Sequence, residues 1–353
     1  MTPHTSFRQA RHPHTPQGGF TLVEIMVGLA IGMLATMVIM QVLSVFEVQK
    51  RTTTGTADAQ TNGSIALFNI GRELQVAGYP LMPVTDSPLE CDPATTTLAG
   101  TLPAGITGIF PVAIADAADP SASDRVTIRY GNSLMGGVPT AISALTGSDV
   151  TVDNNFGCQN GDIAVIINGT TCAMTGVSGI TDTTTIALDD ATAPMTYVGA
   201  NIACLGTWNE VTYAVNDGVL ERNGVPSVDG IVNLQAQYGI SAAANSNQVT
   251  EWVDATGGTW AAPSLANRNR IKALRVAVVA RNPKMEPADV TAACSSTADP
   301  APTGLCAWEG SASSPAPTLD LSDTDADWLR YRYRVFETVI PLRNMIWASK
   351  ETL

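Results

Sequence analysis

The spacing of apolar positions divides the chain into three stretches. Residues 25–46 form a run of 22 positions without a charge, long enough to cross a bilayer as a helix. Beyond Lys50 and Arg51 the apolar residues thin to one side. Leu67, Ile70, Leu74 and Ala77 recur at helical spacing, with Arg72 and Glu73 between them. Gly78-Tyr79-Pro80 closes the pattern. One long helix over 20–78 is expected, with its membrane anchor at 20–46. Residues 20–77 would reach about 87 Å at 1.5 Å per residue. The polar, β-branched 51–64 is where such a helix would fray.

After Pro80 the period changes from helical to two. Val126, Ile128 and Tyr130 alternate with polar residues. Residues 163–167 are continuously apolar, the pattern of a buried strand. Val211, Tyr213 and Val215 alternate and run into Asn216-Asp217-Gly218, a hairpin turn leading to Val219 and Leu220. Leu274, Val276, Val278 and Ala280 make one face of another strand. Leu329, Tyr331, Tyr333 and Val335 are read as one face of a last strand, with Arg330, Arg332 and Arg334 opposite. Residues 286–327, rich in Pro, Ala, Ser, Thr and Asp, read as a loop excursion, and 80–205 as a possible inserted subdomain of a 79–353 head. The fold class expected is α+β: a long N-terminal transmembrane helix packed on an antiparallel sheet, with large loop insertions.

Composition narrows the chemistry. The net charge is −13 and only 14% of residues are charged. Residues 1–19 hold two of the 19 basic residues, Arg8 and Arg11, and no acid; without them 17 basic face 32 acidic side chains, a balance of −15. Such a surface repels phosphate backbones and argues against nucleic-acid binding. All three histidines, His4, His12 and His14, precede residue 20. A chain cut there would have no Ser-His-Asp triad, no Cys-His dyad and no histidine-ligated metal; no cofactor is implied. The six cysteines all follow the apolar run and none form a C-x-x-C pair. An even count on the far side of a membrane fits disulfides. Of the 15 possible pairings, Cys294–Cys306 across a short Pro-rich loop is the local candidate, then Cys172–Cys204, which leaves Cys91–Cys158; a set of buried free thiols is the alternative.

A secretory signal places its apolar run before the cut. Here Gly18-Gly19 comes first, so a cut there would keep the apolar helix and leave a free amine on Phe20. Glu24 lies inside the apolar region, where a carboxylate is costly. The Phe20 amine, its own or a neighbouring subunit's, would be a partner at helical spacing; the alternative is that Glu24 snorkels to the interface. Gly19-Phe20-Thr21-Leu22-Val23-Glu24 resembles the class III signal of type IV prepilins and pseudopilins. That resemblance implies cleavage after Gly19, N-methylation of Phe20 and a role for Glu24 in subunit assembly. Gly28, Gly32 and Gln41 stand where many major pilins carry a helix proline, so the usual melting site is in question.

Further blocks resemble the PilW family of minor pilins: 71–79 at the helix end, Tyr213-Ala214-Val215 with Leu220-Glu221-Arg222, 232–239, 275–281, and 334–337 with 342–344. Their order covers most of the chain outside 80–205 and 286–327. The resemblance implies a minor pilin that primes type IV pilus assembly in the inner membrane, with a periplasmic head, and then enters the pilus or caps its tip. Its implied partners are other minor pilins, the major pilin, the prepilin peptidase, the inner-membrane assembly platform and a possible tip adhesin. A J-type minor pseudopilin of type II secretion, or a membrane-anchored periplasmic enzyme or binding protein, are the alternatives. Asp323, Asp325 and Asp327 begin like an EF-hand loop, but Trp328 and Arg334 replace its glycine and glutamate. They are left as a loose calcium candidate beside the reading of a solvated acidic loop. The arginine stripe is read as pairing with acids of this chain or of a partner pilin, with nucleic-acid binding as the alternative.

Overall fold

A computed structural model describes residues 19–347, except 82–90, 101, 103–104, 118–121, 136 and 313. His4, Arg8, Arg11, His12, His14 and Gly18 lie outside the described residues. One helix, α1 (Leu22–Val76), runs through two compact units, Met1–Thr53 and Thr54–Leu353. It is continuous across 51–64, where fraying was expected. Hydroxyls in and beside that stretch bond back one turn, Thr53 to Gln49 O at 2.9 Å, Thr61 to Ala57 O at 2.9 Å and Ser64 to Gln60 O at 2.8 Å. These polar side chains therefore stay on the helix surface without breaking its ladder.

In the second unit, Gly55, Ala59, Gly63, Ala66, Ile70, Leu74 and Ala77 form the buried stripe of α1. The first four are small, and the large Ile70 and Leu74 follow. A Cβ on Gly63 would collide with the Phe336 ring, and one on Gly55 with Asn282. Close approach of helix backbone to sheet side chains is the reason for glycine here. The helix ends before Gly78, whose φ of +80° is left-handed. Asn344 donates its side-chain N–H to Ala77 O at 2.9 Å, covering a carbonyl that the helix end leaves open.

Three sheets follow. The five-stranded sheet has the order β12 (Val225–Asp229), β11 (Val219–Arg222), β10 (Asn209–Asn216), β3 (Arg125–Tyr130), β2 (Val112–Ala115), all antiparallel. Asp217 and Gly218, at φ 48° and 77°, make the two-residue turn between β10 and β11. The four-stranded antiparallel sheet is β14 (Val249–Val253), β13 (Ile231–Ser241), β15 (Ile271–Arg281), β16 (Tyr333–Pro341). The third sheet is a ring. Strands β7 (Thr171–Ile180), β6 (Ile163–Asn168), β9 (Asn201–Cys204), β4 (Thr140–Thr146), β5 (Asp149–Val152) and β8 (Thr185–Leu188) pair antiparallel in that order, and β8 returns to β7. The short β1 (Thr96–Leu98) lies parallel on β7.

The main core joins the buried stripe of α1 to Val126, Ile128, Val211 and Tyr213 of the five-stranded sheet and to Leu274, Val276 and Val278 of β15. The ring has its own interior, including Ile142, Val150, Ala164, Ile166 and Ile202. Strand β6 explains its unbroken apolar sequence: Ala164 and Ile166 face that interior, while Ile163 and Val165 face the main core. Strand β15 is covered twice in the same way. Its second face, Ala277 and Val279, packs with Leu305, Trp308, Leu319, Leu321 and Trp328 of the long connection after β15.

The last strand is shorter than its alternation suggests. Trp328–Arg330 is a turn of 3-10 helix, and β16 begins only at Tyr333. Trp328 is drawn into the core beneath the connection, at 7% exposure, so Leu329 and Tyr331 do not share a strand face with Tyr333 and Val335.

Candidate functional site

Gly19, Phe20 and Thr21 precede the first helical residue. Phe20 is 85% exposed, and nothing lies within 4 Å of a Cβ built on Gly19. The peptide bond between them therefore sits in open, non-helical chain. Thr21 and Glu24 then close a reciprocal cap. The Thr21 N–H and hydroxyl both donate to Glu24 Oε2 at 3.0 Å, and the Glu24 N–H donates to Thr21 Oγ1 at 3.2 Å. This is the Thr-x-x-Glu capping box, which satisfies otherwise orphaned donors at a helix start. In the uncut chain Glu24 thus has a partner that the sequence reading, looking to the Phe20 amine, did not assign. The signal was legible: Thr, two apolar residues and Glu at the head of an apolar run.

Behind the cap, every large apolar side chain in 22–46 is exposed. Two hydroxyls there turn back onto the helix: Thr36 Oγ1 donates to Met33 O at 2.9 Å and Ser44 Oγ to Gln41 O at 2.8 Å. That arrangement suits hydrocarbon, where no water replaces a missing partner. Among the described residues this is the one helix long and apolar enough to cross a membrane. Glycines 28 and 32 leave it unbroken.

In the second unit, the blocks singled out in the sequence meet through ion pairs. Arg222 of β11 reaches Glu73 of α1 at 2.8 Å. Arg275 of β15 pairs with Glu337 of β16 at 3.3 Å, and its guanidinium lies over the rings of Trp252 and Trp308, at 4.6 and 5.4 Å. Arg129 and Glu210, opposite each other on β3 and β10, form a buried pair at 2.8 Å with both side chains 8% exposed. Breaking such a pair from one side leaves a buried charge and is strongly destabilising.

All six cysteines are bonded: Cys91–Cys172, Cys158–Cys204 and Cys294–Cys306. The pairings Cys172–Cys204 and Cys91–Cys158 are corrected by topology. Strands β7 and β9 flank β6 on opposite sides, about 10 Å apart at the usual strand spacing, beyond the reach of a disulfide. Cys172 also faces the main core, whereas Cys204 faces the ring interior. The parallel pairing of β1 with β7 sets Thr96 opposite Cys172, and this brings Cys91, just before β1, to it.

Asp323, Asp325 and Asp327 are not gathered as metal ligands. Asp325 pairs with Arg281 at 3.1 Å and accepts the Asp327 N–H at 3.0 Å, and Asp327 pairs with Arg330 at 3.4 Å. Among the described residues no group of three His, Cys, Asp or Glu side chains is placed to hold a metal. The arginine stripe also dissolves. Arg330 donates to Glu286 O at 2.9 Å from the 3-10 turn, Arg332 pairs with Glu286 at 3.1 Å, and Arg334 is exposed on β16.

One buried acid had no sequence signal. The Asp124 carboxylate accepts the Ala236 N–H at 2.7 Å and the Ala117 N–H at 3.1 Å, and the Asp124 N–H donates to Leu234 O at 2.8 Å. It serves as a substitute strand on the free edge of β13 and ties the segment before β3 to the four-stranded sheet. Burial pushes its carboxyl up to about 7, against those two hydrogen bonds and with help from Asp116 and Asp254.

An exposed, capped, apolar N-terminal helix whose second half packs on antiparallel sheets defines a pilin-like prepilin. Compared with known families, residues 197–344 match the type IV pilus-assembly protein W family, and residues 15–40 match the prokaryotic N-terminal methylation motif. The chain thus carries a PilW-family region of type IV pilus assembly proteins behind an N-terminal methylation motif, which implies processing by a prepilin peptidase. No curated protein and no solved structure matches it. The PilW match runs from Tyr197 to Asn344, the residue that covers the end of α1. Pilins are normally structural proteins rather than enzymes.

Proposed function

We propose that the chain is a minor pilin, cut after Gly19 by the prepilin peptidase and methylated on Phe20. Residues 20–46 hold it in the inner membrane with its head in the periplasm. It then joins other minor pilins to prime the pilus and passes, with the major pilin, into the fibre or its tip. The observation that carries this reading is the position of the Gly19–Phe20 bond, in open chain immediately ahead of the capping box and the exposed apolar helix. Three disulfides support an oxidising compartment for the head. The PilW match favours a pilus over a secretion pseudopilus.

In this mechanism cleavage turns the Phe20 N–H into an amine that stands next to Thr21, at the same helix end as the Glu24 carboxylate. Docking of the helix among other pilin helices would exclude water around Glu24. A cation, the amine of its own or a neighbouring Phe20, then becomes its counter-charge. The charge and the cap can be separated, because glutamine also closes a capping box. Glu24→Gln should be cleaved like the wild type but be depleted in sheared pili, as should Glu24→Ala. Wild-type amounts of Glu24→Gln in pili would show that the cap alone suffices and would overturn the charge-based account.

A further inference from the structure

A cavity of about 250 Å³ opens between β1, the segment leading into β2, and the short turn of helix Leu265–Arg268. Its walls mix polar and apolar groups, the apolar part formed by Leu98, Ile109, Phe110 and Val112. Two guanidinium groups reach it, and they differ sharply. Arg129 is saturated: it donates to Glu210 at 2.8 Å, to Phe110 O at 2.9 Å and to Thr107 Oγ1 at 2.8 Å. Arg268 is not. Its Nε donates to Pro263 O at 2.9 Å and its guanidinium lies 5.0 Å from the centroid of the Phe110 ring. Among the described residues it forms no ion pair. Asp92 acts on its charge from beyond ion-pair distance, and the Asp92 carboxylate already accepts the Ala94 N–H at 2.9 Å.

Burial, and then the nearby charge of Arg129, weigh against the Arg268 cation and press its pKa below the usual arginine range. An unneutralised, half-buried guanidinium is an unfavourable arrangement on its own. It is more notable in a chain with a net charge of −13, where acids are plentiful and none among the described residues forms an ion pair with it. Tyr238 adds a donor. It is 2% exposed, lines the same cavity, and its hydroxyl oxygen accepts the Ile114 N–H at 2.7 Å. The Tyr238 O–H proton has no acceptor among the described residues.

We propose that this cavity binds a small apolar carboxylate, with the terminal nitrogens of Arg268 taking the carboxylate and the Phe110 side of the pocket taking the apolar body. The planar fork of a guanidinium matches a carboxylate in two parallel hydrogen bonds. The apolar part of the wall and the volume exceed what a bare inorganic anion needs and suit a group with a single ring. Such a ligand is either a free acid or the terminal residue of a polypeptide. The site is independent of the pilin role proposed above.

The test uses the full chain in dodecyl maltoside micelles, with binding of hydrocinnamate and of its neutral amide followed by saturation-transfer NMR and calorimetry. Hydrocinnamate should bind saturably and the amide at least about tenfold more weakly, as expected for loss of a hydrogen-bonded charge. Arg268→Gln, checked for folding by near-UV circular dichroism, should show the same loss, while Arg334→Gln binds like the wild type. Gly-Gly-Phe with a free or an amidated end separates the sources. Binding of the free tripeptide assigns a chain terminus, and its rejection beside bound hydrocinnamate assigns a free acid. No saturable binding, equal binding of acid and amide by the wild type, or undiminished binding by Arg268→Gln overturns the proposal.

Discussion

The two halves of α1 share one hydrogen-bond ladder and follow opposite side-chain rules. In 22–46 all large apolar side chains are exposed, and the hydroxyls of Thr36 and Ser44 are returned to the helix. From Thr54 onward the apolar residues collect on one stripe, and Gly55 and Gly63 sit where a Cβ would strike the head. Glycine means different things in the two halves. Gly28 and Gly32 face open space, whereas Gly55 and Gly63 are pressed against Asn282 and Phe336. A glycine inside a helix costs about 1 kcal/mol relative to alanine, and in the second half close packing offsets that cost. Among the described residues the first half meets no such compensation, which suits a setting of lipid or other helices.

This contrast can be broken by substitution. The largest effect is expected from removing the Cys91–Cys172 bond, which spans 81 residues. The paired change of both cysteines to serine should cost the head about 2–5 kcal/mol, read as a lower denaturant midpoint in micelles. Helicity of the 22–46 segment should survive it. Next, Gly63→Leu should cost about 1–3 kcal/mol through overpacking, while Gly28→Leu leaves the same unfolding curve in place. Equal effects of the two leucines would erase the distinction between the halves.

A smaller effect sharpens the head's side of the comparison. The Asp124 carboxyl titrates at about 7 in the fold against an ordinary value of 3.8. Its contribution is therefore fully present below 3.8 and is lost as pH rises through about 7. Asp124→Asn loses one acceptor and should lower stability at pH 4, but its decline from pH 4 to pH 7 should be shallower than that of the wild type. Parallel curves for the two proteins would remove Asp124 from the pH response.

The sequence carried much of this because the decisive patterns are local. The uncharged run at 25–46, the alternation around Val126 and Val211, and the Asp217-Gly218 turn each need only neighbours along the chain. The doubly buried 163–167 was legible for the same reason. What escaped depends on distant pairing. Closure of the ring rests on the return of β8 to β7, and the disulfide map follows from which strand lies beside which. Trp328 leaves its alternating pattern because a core formed by residues far away draws it in. Arg268 and Tyr238 share a cavity that no spacing announces. At the N-terminus the roles of Gly19, Phe20 and Glu24 were expected from the resemblance, yet Thr21, which holds the Glu24 carboxylate in the uncut chain, was passed over although its spacing was plain.

The central claim is that the chain is processed in the open segment before the capping box. The most direct measurement is the intact mass and N-terminal sequence of the protein recovered from membranes and sheared pili of cells that make it. The account predicts a chain that begins at N-methylated Phe20 and lacks residues 1–19, and a Gly19→Ala variant that keeps them and stays in the membrane. A wild-type chain that retains residues 1–19 in the pilus, or a Gly19→Ala variant that still begins at Phe20, would contradict it.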